Sequence, residues 1–438
     1  MWGLPTQIKW HTWTGALQPE LALLHALREQ TDVAALIGSG EAGPRGRYGV
    51  VGLPRQVHFV QESTQNLALL FNAPPTDALR IVALSYESGF SLVHLPNSEP
   101  PRGQPTIVCF ELDAAMVVDH LTNQVGIFGH PGPRVELLKQ HLVNPPTQLP
   151  KPGRATLVPT VSDEIHAQRI RTAQAHISAG DIYQANIARR LRVEGEVDAI
   201  GLLASLCSKN PVAHSAYLKT GELEVLSNTM ETLLTYEPDE RLAQSFPIKG
   251  TRSRSSQEPS NLENAHLLKN HPKERAEHVM IVDLVRNDLG RVCVPGSVRV
   301  PKLMDVEGFK GVWHGVSTVE GRLCDDKELA DLVAAIFPGG SITGAPKRRS
   351  MQLIQDIEEQ ARGFYTGSIG LLTPSGRLSM SILIRTLIHD EDGWSVSVGG
   401  GIVADSEAER EIMETWEKVS VFNHILGNRE LSDTEQAG

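Results

Sequence analysis

The apolar residues of this chain fall into two textures. Up to about residue 143 they gather in short β-rich runs, such as Arg80-Ile-Val-Ala-Leu-Ser-Tyr86 and Thr106-Ile-Val-Cys-Phe110. Beyond residue 159 helical and strand-like spacings are interspersed, without the regular alternation of a doubly wound sheet. Several strand runs there are joined by tight turns, so the pattern predicts an α+β fold with antiparallel sheet. Pro96 to Pro105 is too rich in proline and polar residues for a regular element, and Asn144 to Pro159, with five prolines, reads as a linker. The chain divides there into a β-rich segment, 1–150, and a larger one, 160–428, with a polar, frayed tail at 429–438. No repeat of solenoid period is present.

Two helices stand out. One is predicted from Pro272 to Leu289, with proline in the first turn and Gly290 as terminator. Its buried flank would carry Val279, Ile281, Val282 and Val285, and Glu274 and Glu277 project together from another face. The second is predicted to start at Ser406, which has capping-box spacing to Glu409. Ile412, Trp416, Val419 and Leu426 would face the core, leaving Glu411, Glu414 and Lys418 on a separate face.

Composition narrows the class. The 438 residues include 41 basic and 52 acidic ones, a formal charge of −11. That balance argues against a general nucleic-acid binder, which needs a basic face. The longest apolar run, Leu332 to Phe337, is far short of a membrane span, and the start lacks a signal-peptide layout. The four cysteines lie far apart without metal-binding spacing, which reads as reduced buried thiols in a cytoplasmic protein.

Five segments carry candidate chemistry, each with a plainer reading beside it. The two acidic helix faces are either solvated or a pair of carboxylate donors for Mg2+, which takes few protein ligands; zinc would need His or Cys partners. Arg275, Arg286, Asp288, Arg410 and Lys418 flank them. Phe337-Pro-Gly-Gly-Ser-Ile-Thr-Gly-Ala-Pro-Lys347 leads into a predicted helix over 348–362 but lacks the nucleotide-loop spacing, so it is either a tight turn or an anion-facing helix start. Gly399-Gly-Gly401 allows a ligand to approach the backbone, or makes a sharp corner. Lys249, in Ser245-Phe-Pro-Ile-Lys-Gly-Thr-Arg252, is either solvated or a desolvated nucleophile.

Taken in order, five segments match one family. Pro247-Ile-Lys-Gly-Thr-Arg252, Lys273 to Asp288 (KERAEHVMIVDLVRND), His314-Gly-Val-Ser317, Pro338 to Lys347 and Gly399-Gly-Gly-Ile-Val-Ala-Asp-Ser406 together resemble the chorismate-utilising enzymes. The resemblance spans about residues 164 to 420, with a weak likeness over Leu36 to Gly52. It implies a large two-layered antiparallel β-sheet core flanked by helices, with the first segment resembling the N-terminal part of anthranilate synthase component I. By the same likeness Glu277 and Glu414 would hold Mg2+, with Glu274 and Glu411 behind them. Lys249, Glu231 and His314 would be catalytic. Gly250, Thr251, Thr343, Tyr365, Arg385, Gly399, Gly400, Gly401 and Lys418 would contact substrate, the arginine gripping a carboxylate.

Within the family, Lys249 matches the PIKGT of aminodeoxychorismate synthases rather than the PIAGT of anthranilate synthases. Gln184, in Gln184-Ala-Asn-Ile-Ala-Arg189, stands where isochorismate and salicylate synthases carry a water-activating lysine. The likeness therefore implies amination of chorismate at C4. Asn228-Thr-Met-Glu231 departs from the family's Ser-Pro-Glu, and the tryptophan-binding signatures of some members are missing at Ile37-Gly-Ser-Gly40 and Asn210 to Tyr217. No Gly-x-Cys-x-Gly glutaminase segment and no lyase region is present. Ammonia is therefore expected from a separate glutamine amidotransferase subunit, and the product is expected to pass to an aminodeoxychorismate lyase.

Overall fold

A computed structural model describes residues 8–40, 43–60, 64–72, 77–254 and 260–427. The tail 429–438 lies outside the described residues. Two antiparallel sheets dominate, of 12 and 10 strands among the described residues. The larger runs through Asp32–Ile37, His214–Thr220, Leu223–Thr229, Thr386–Asp390, Gly393–Ile402 and Gln184–Val197 in that spatial order. The smaller begins at Ile248–Ser253 and Val312–Arg322 and ends with Leu79–Leu84, Ile107–Leu112 and Gln56–Val60.

The sheets pack face to face. Ile81, Ala83, Val108 and Phe110 of the smaller sheet share one core with Ala34, Val50, Ala115, Val117, Leu218 and Val225 of the larger. The alternate residues of the same strands point outward: Val33, Ala35 and Ile37 pack under helices of the larger sheet, while Val82 and Leu84 join the core beneath the Pro272–Gly290 and Leu329–Ile336 helices. Both faces of these strands are covered, which is why Ile81 to Leu84 reads as an unbroken apolar run rather than an alternating one. The α+β, two-layer expectation holds. Strands from before and after residue 150 pair directly: Asp32–Ile37 with His214–Thr220, and Leu79–Leu84 with Ser368–Leu372.

Local differences from the sequence reading have simple causes. The proline-rich stretch is only partly a linker, because Gly153–Pro159 pairs along Gln184–Val197 as an edge strand, where proline is tolerated. Val279 is exposed, while Ile281, Val282 and Val285 are buried as expected. The second helix begins at Ala408 rather than Ser406, because the Ser406 hydroxyl donates to Glu411 Oε1 (2.6 Å) and accepts from Val403 N (3.1 Å), so it does not cap through Glu409. The Lys347–Glu358 helix stops before Arg362, with Glu359 left-handed at φ 52°. Among the described residues, no helix is long and apolar enough to cross a membrane.

Candidate functional site

The site lies where one end of each sheet meets the two acidic helices. Lys249 sits in the Ile248–Ser253 strand opposite Gly315, and the next residue, Gly250, breaks the register at φ +83°. A Cβ on Gly250 would stand 2.7 Å from Leu268 Cδ1 and 2.9 Å from Glu274 Oε2, so this glycine lets the Pro272–Gly290 helix close on the strand. The result is an ion pair between Lys249 Nζ and Glu277 Oε2 (3.2 Å) and another between Arg252 and Glu274 Oε1 (2.5 Å). The second oxygen, Glu274 Oε2, is buried without a hydrogen-bond partner. Of Thr251, only the backbone pairing with His314 is described.

The three glycines make the opposite wall. A Cβ on Gly401 would stand 3.1 Å from Gln184 Nε2 and 3.3 Å from Lys249 Nζ, and one on Gly400 would stand 3.0 Å from Glu411 Oε2. Side chains there would fill the space held by the amine and the carboxylates. Lys418 Nζ donates to Gly399 O (2.7 Å) and pairs with Glu414 Oε1 (2.6 Å).

Electrostatics set the protonation states. Burial raises Glu231 to about 7, against the Ser341 hydrogen bond (Oγ to Oε1, 2.5 Å) and the charges of Lys249 and Lys418. Burial raises Glu411 as well, and the neighbouring Glu414 adds to it. Burial also pulls Glu414 upward, but Lys418 outweighs it and leaves the carboxyl low. His314 is pushed down to about 4 by burial and by Arg385, so it is neutral at pH 7; its Nδ1 faces Gly250 O at 3.4 Å. Arg385 is half-buried in a left-handed conformation, φ 51°, and burial disfavours its charge. Among the described residues no carboxylate pairs with Arg385, as a receptor for an incoming anion requires. Tyr365 is buried, its ring 5.9 Å from the Arg362 guanidinium. The Thr343 hydroxyl is committed to Gly339 O (2.8 Å).

Three of the flanking charges are paired elsewhere. Arg286 pairs with Asp283 (2.7 Å), Arg410 with Glu407 (2.9 Å), and Asp288 with Lys347 (2.7 Å). Two further side chains stand here: Gln184, which the likeness aligns with a water-activating lysine, and Ser341, which the sequence reading does not single out. Gln184 is fully buried beside Gly401 with neither carboxamide atom hydrogen-bonded, and Ser341 reaches Glu231 from 110 residues away. Only the placement of Ser341 inside the glycine-rich segment hinted at it.

Five glutamates, at positions 231, 274, 277, 411 and 414, share this site with Lys249, Arg252, Arg385 and Lys418. Among the described residues no cluster of three or more His, Cys, Asp or Glu ligands is formed. Two carboxylate donors, Glu277 and Glu414, with the unpartnered buried Oε2 of Glu274 behind them and no His or Cys partner among the described residues, suit Mg2+ and its retained waters better than zinc.

Comparison with known proteins places this geometry in context. Residues 43–424 match the family model described as chorismate binding enzyme. Aminodeoxychorismate synthase component 1 of Klebsiella aerogenes is 39% identical over 342 residues, 78% of this chain and 75% of that protein. Anthranilate synthase component 1 of Thermus thermophilus is 33% identical over 441 residues, 93% of this chain and 95% of that protein. The crystal structure of anthranilate synthase component I from Streptococcus pneumoniae superposes with a TM-score of 0.73 at 25% identity, covering 86% of this chain and 92% of the other.

Proposed function

The chain belongs to the family of chorismate binding enzymes, and from that premise we propose that it is the synthase subunit that aminates chorismate at C4. The product would be 4-amino-4-deoxychorismate, the ammonia coming from a separate glutamine amidotransferase and a lyase then releasing 4-aminobenzoate for folate synthesis. One observation carries this reading: the Lys249 amine lies against the open glycine wall, its Nζ 3.3 Å from where a Gly401 Cβ would stand and 3.2 Å from Glu277. The naming of relatives as component 1 supports a partner subunit.

Glu277 and Glu414, backed by Glu274 and Glu411, would hold Mg2+, which when bound offsets the charge of a dianionic substrate among so many carboxylates. Arg385 grips the pyruvyl carboxylate, with Tyr365 and Lys418 beside it and the glycine backbone under the ring. The Lys249 Nζ lone pair forms a bond to C2 while the C4–O bond breaks and both ring double bonds shift. Glu231, kept protonated near neutrality by burial, gives its proton to the departing hydroxyl, which leaves as water. Ammonia then bonds to C4 as the double bonds return and the bond from C2 to Lys249 breaks. The proton shed by the new ammonium reloads Glu231. Two displacements retain the configuration at C4. His314, neutral, positions the region around the leaving group.

The test is incubation of the pure chain with chorismate, Mg2+ and ammonium at alkaline pH, identifying the product by mass spectrometry and fluorescence. A product that a lyase converts to 4-aminobenzoate is expected. Anthranilate would move the amination to C2 and overturn the role given to Lys249. No turnover at all would leave a chain that serves only to bind its partner.

A further inference from the structure

We propose that Ser341, pinned by the buried Lys347–Asp288 pair, is the positioning residue that aims the Glu231 carboxyl. The inference rests on the reading of Glu231 as the proton donor and adds how that donor is held.

Ser341 lies in the short turn Gly340–Ile342, between the Leu329–Ile336 helix and the Lys347–Glu358 helix. The turn is tied at both ends and in the middle. Lys347 Nζ donates to Ile336 O (3.0 Å) and pairs with Asp288 Oδ2 (2.7 Å), both side chains being at least nine-tenths buried. Asp288 stands on the helix that carries Glu274 and Glu277. Leu284 of that helix packs on Gly340, where a Cβ would be only 3.2 Å from Leu284 Cβ. Ile342 O accepts from Asn186 Nδ2 (3.2 Å) and Arg362 (3.0 Å). A tight turn needs none of this. A buried ammonium–carboxylate pair costs desolvation that an apolar contact would avoid, so its return lies in fixed geometry.

The fixed element delivers one functional contact, Ser341 Oγ to Glu231 Oε1. Accepting from the Ser341 hydroxyl disfavours a proton on Oε1, so the acidic proton of Glu231 is favoured on Oε2. The hydroxyl thus selects which oxygen donates, and it favours the ionised form over the neutral one. The other groups acting on this carboxyl are Lys249 from its strand and Lys418 from the Ala408–Gly427 helix.

The experiment measures kcat and KM for chorismate across pH, at constant free ammonia. Ser341→Ala should lower kcat about tenfold and leave KM within about twofold. A general acid loses activity as pH rises through its pKa. Removing a bond that favours its ionised form therefore moves the alkaline limb to higher pH. Ser341→Thr, which keeps the hydroxyl, should restore both kcat and the limb. Lys347→Met and Asp288→Asn should displace the limb in the same direction. Ser341 is only half-buried, so its alanine variant remains informative if the buried-pair variants fail to fold. A Ser341→Ala profile with an unmoved limb, or a change confined to KM, overturns the inference. Glu231→Gln separates the two levels: near-normal turnover there would remove the proton-donor reading itself, whereas a dead Glu231→Gln beside a normal Ser341→Ala would remove only the role of Ser341.

Discussion

Lys249 with Glu277 and Arg362 with Glu358 are the same pairing of cation and carboxylate, yet they do opposite work. Arg362 and Glu358 are 3% and 5% exposed, and the guanidinium also bonds Asn186 O, Ile342 O and Thr366 Oγ1 while lying 4.6 Å from the Tyr86 ring centroid. Glu358 accepts further from Ala188 N, so the network is closed. Lys249 and Glu277 are 26% and 20% exposed and make one ion pair beside a buried, unpartnered Gln184 and an unpartnered oxygen of Glu274. A saturated pair holds structure, because nothing on it is free to react. An unsaturated one retains bonding capacity that a substrate can take up.

The largest effect should come from Lys249→Ala, predicted to lower amine formation from chorismate by about a thousandfold or more. Its urea midpoint should stay close to that of the parent chain. A loss of stability with activity retained would reverse the contrast. Next, Arg362→Met leaves Glu358 buried and unpaired and should cost about 3–5 kcal/mol in urea denaturation. Restoring neutrality with Glu358→Leu in the same chain should recover part of that loss, which sharpens the distinction between pairing and packing.

The third test uses pH. His166 is pushed down to about 4 by burial and by Arg189 and Arg169, against an ordinary 6.5. The unfolded chain therefore takes up a proton that the folded chain refuses. Stability is intact above 6.5 and is lost as pH falls toward 4, by about 3 kcal/mol for this one group. His166→Gln should flatten that part of the curve measured by denaturation at stepped pH. A decline of unchanged steepness would assign the acid sensitivity elsewhere.

What could be read in the sequence was what is local. Gly250 and 399–401, the carboxylates at i, i+3 and the Pro272 helix are legible as local patterns, while their gathering at one site is implied only by the family likeness. Gly290, expected as terminator, is the last helical residue, with Arg291 as the cap. What could not be read depends on distant strands meeting. Ser341 touches Glu231 only because the turn is pinned to the acidic helix. Ser406 spends its hydroxyl on Glu411 because that carboxylate comes within reach, against a capping pattern that looked complete. Gly153–Pro159 became a strand because the Gln184 strand offered it an edge, which no composition of the stretch itself predicts.

The interleaving of early and late strands in both sheets has a consequence for how the protein is made. The strand of Leu84, already beside Ile107–Leu112, must wait for Ser368, 284 residues later, before it acquires its second neighbour. At ribosomal speeds of about 5–20 residues per second, that is about 15–60 s during which an apolar strand edge lacks its cover. The outer edge of that strand therefore stays open until the last third of the chain emerges.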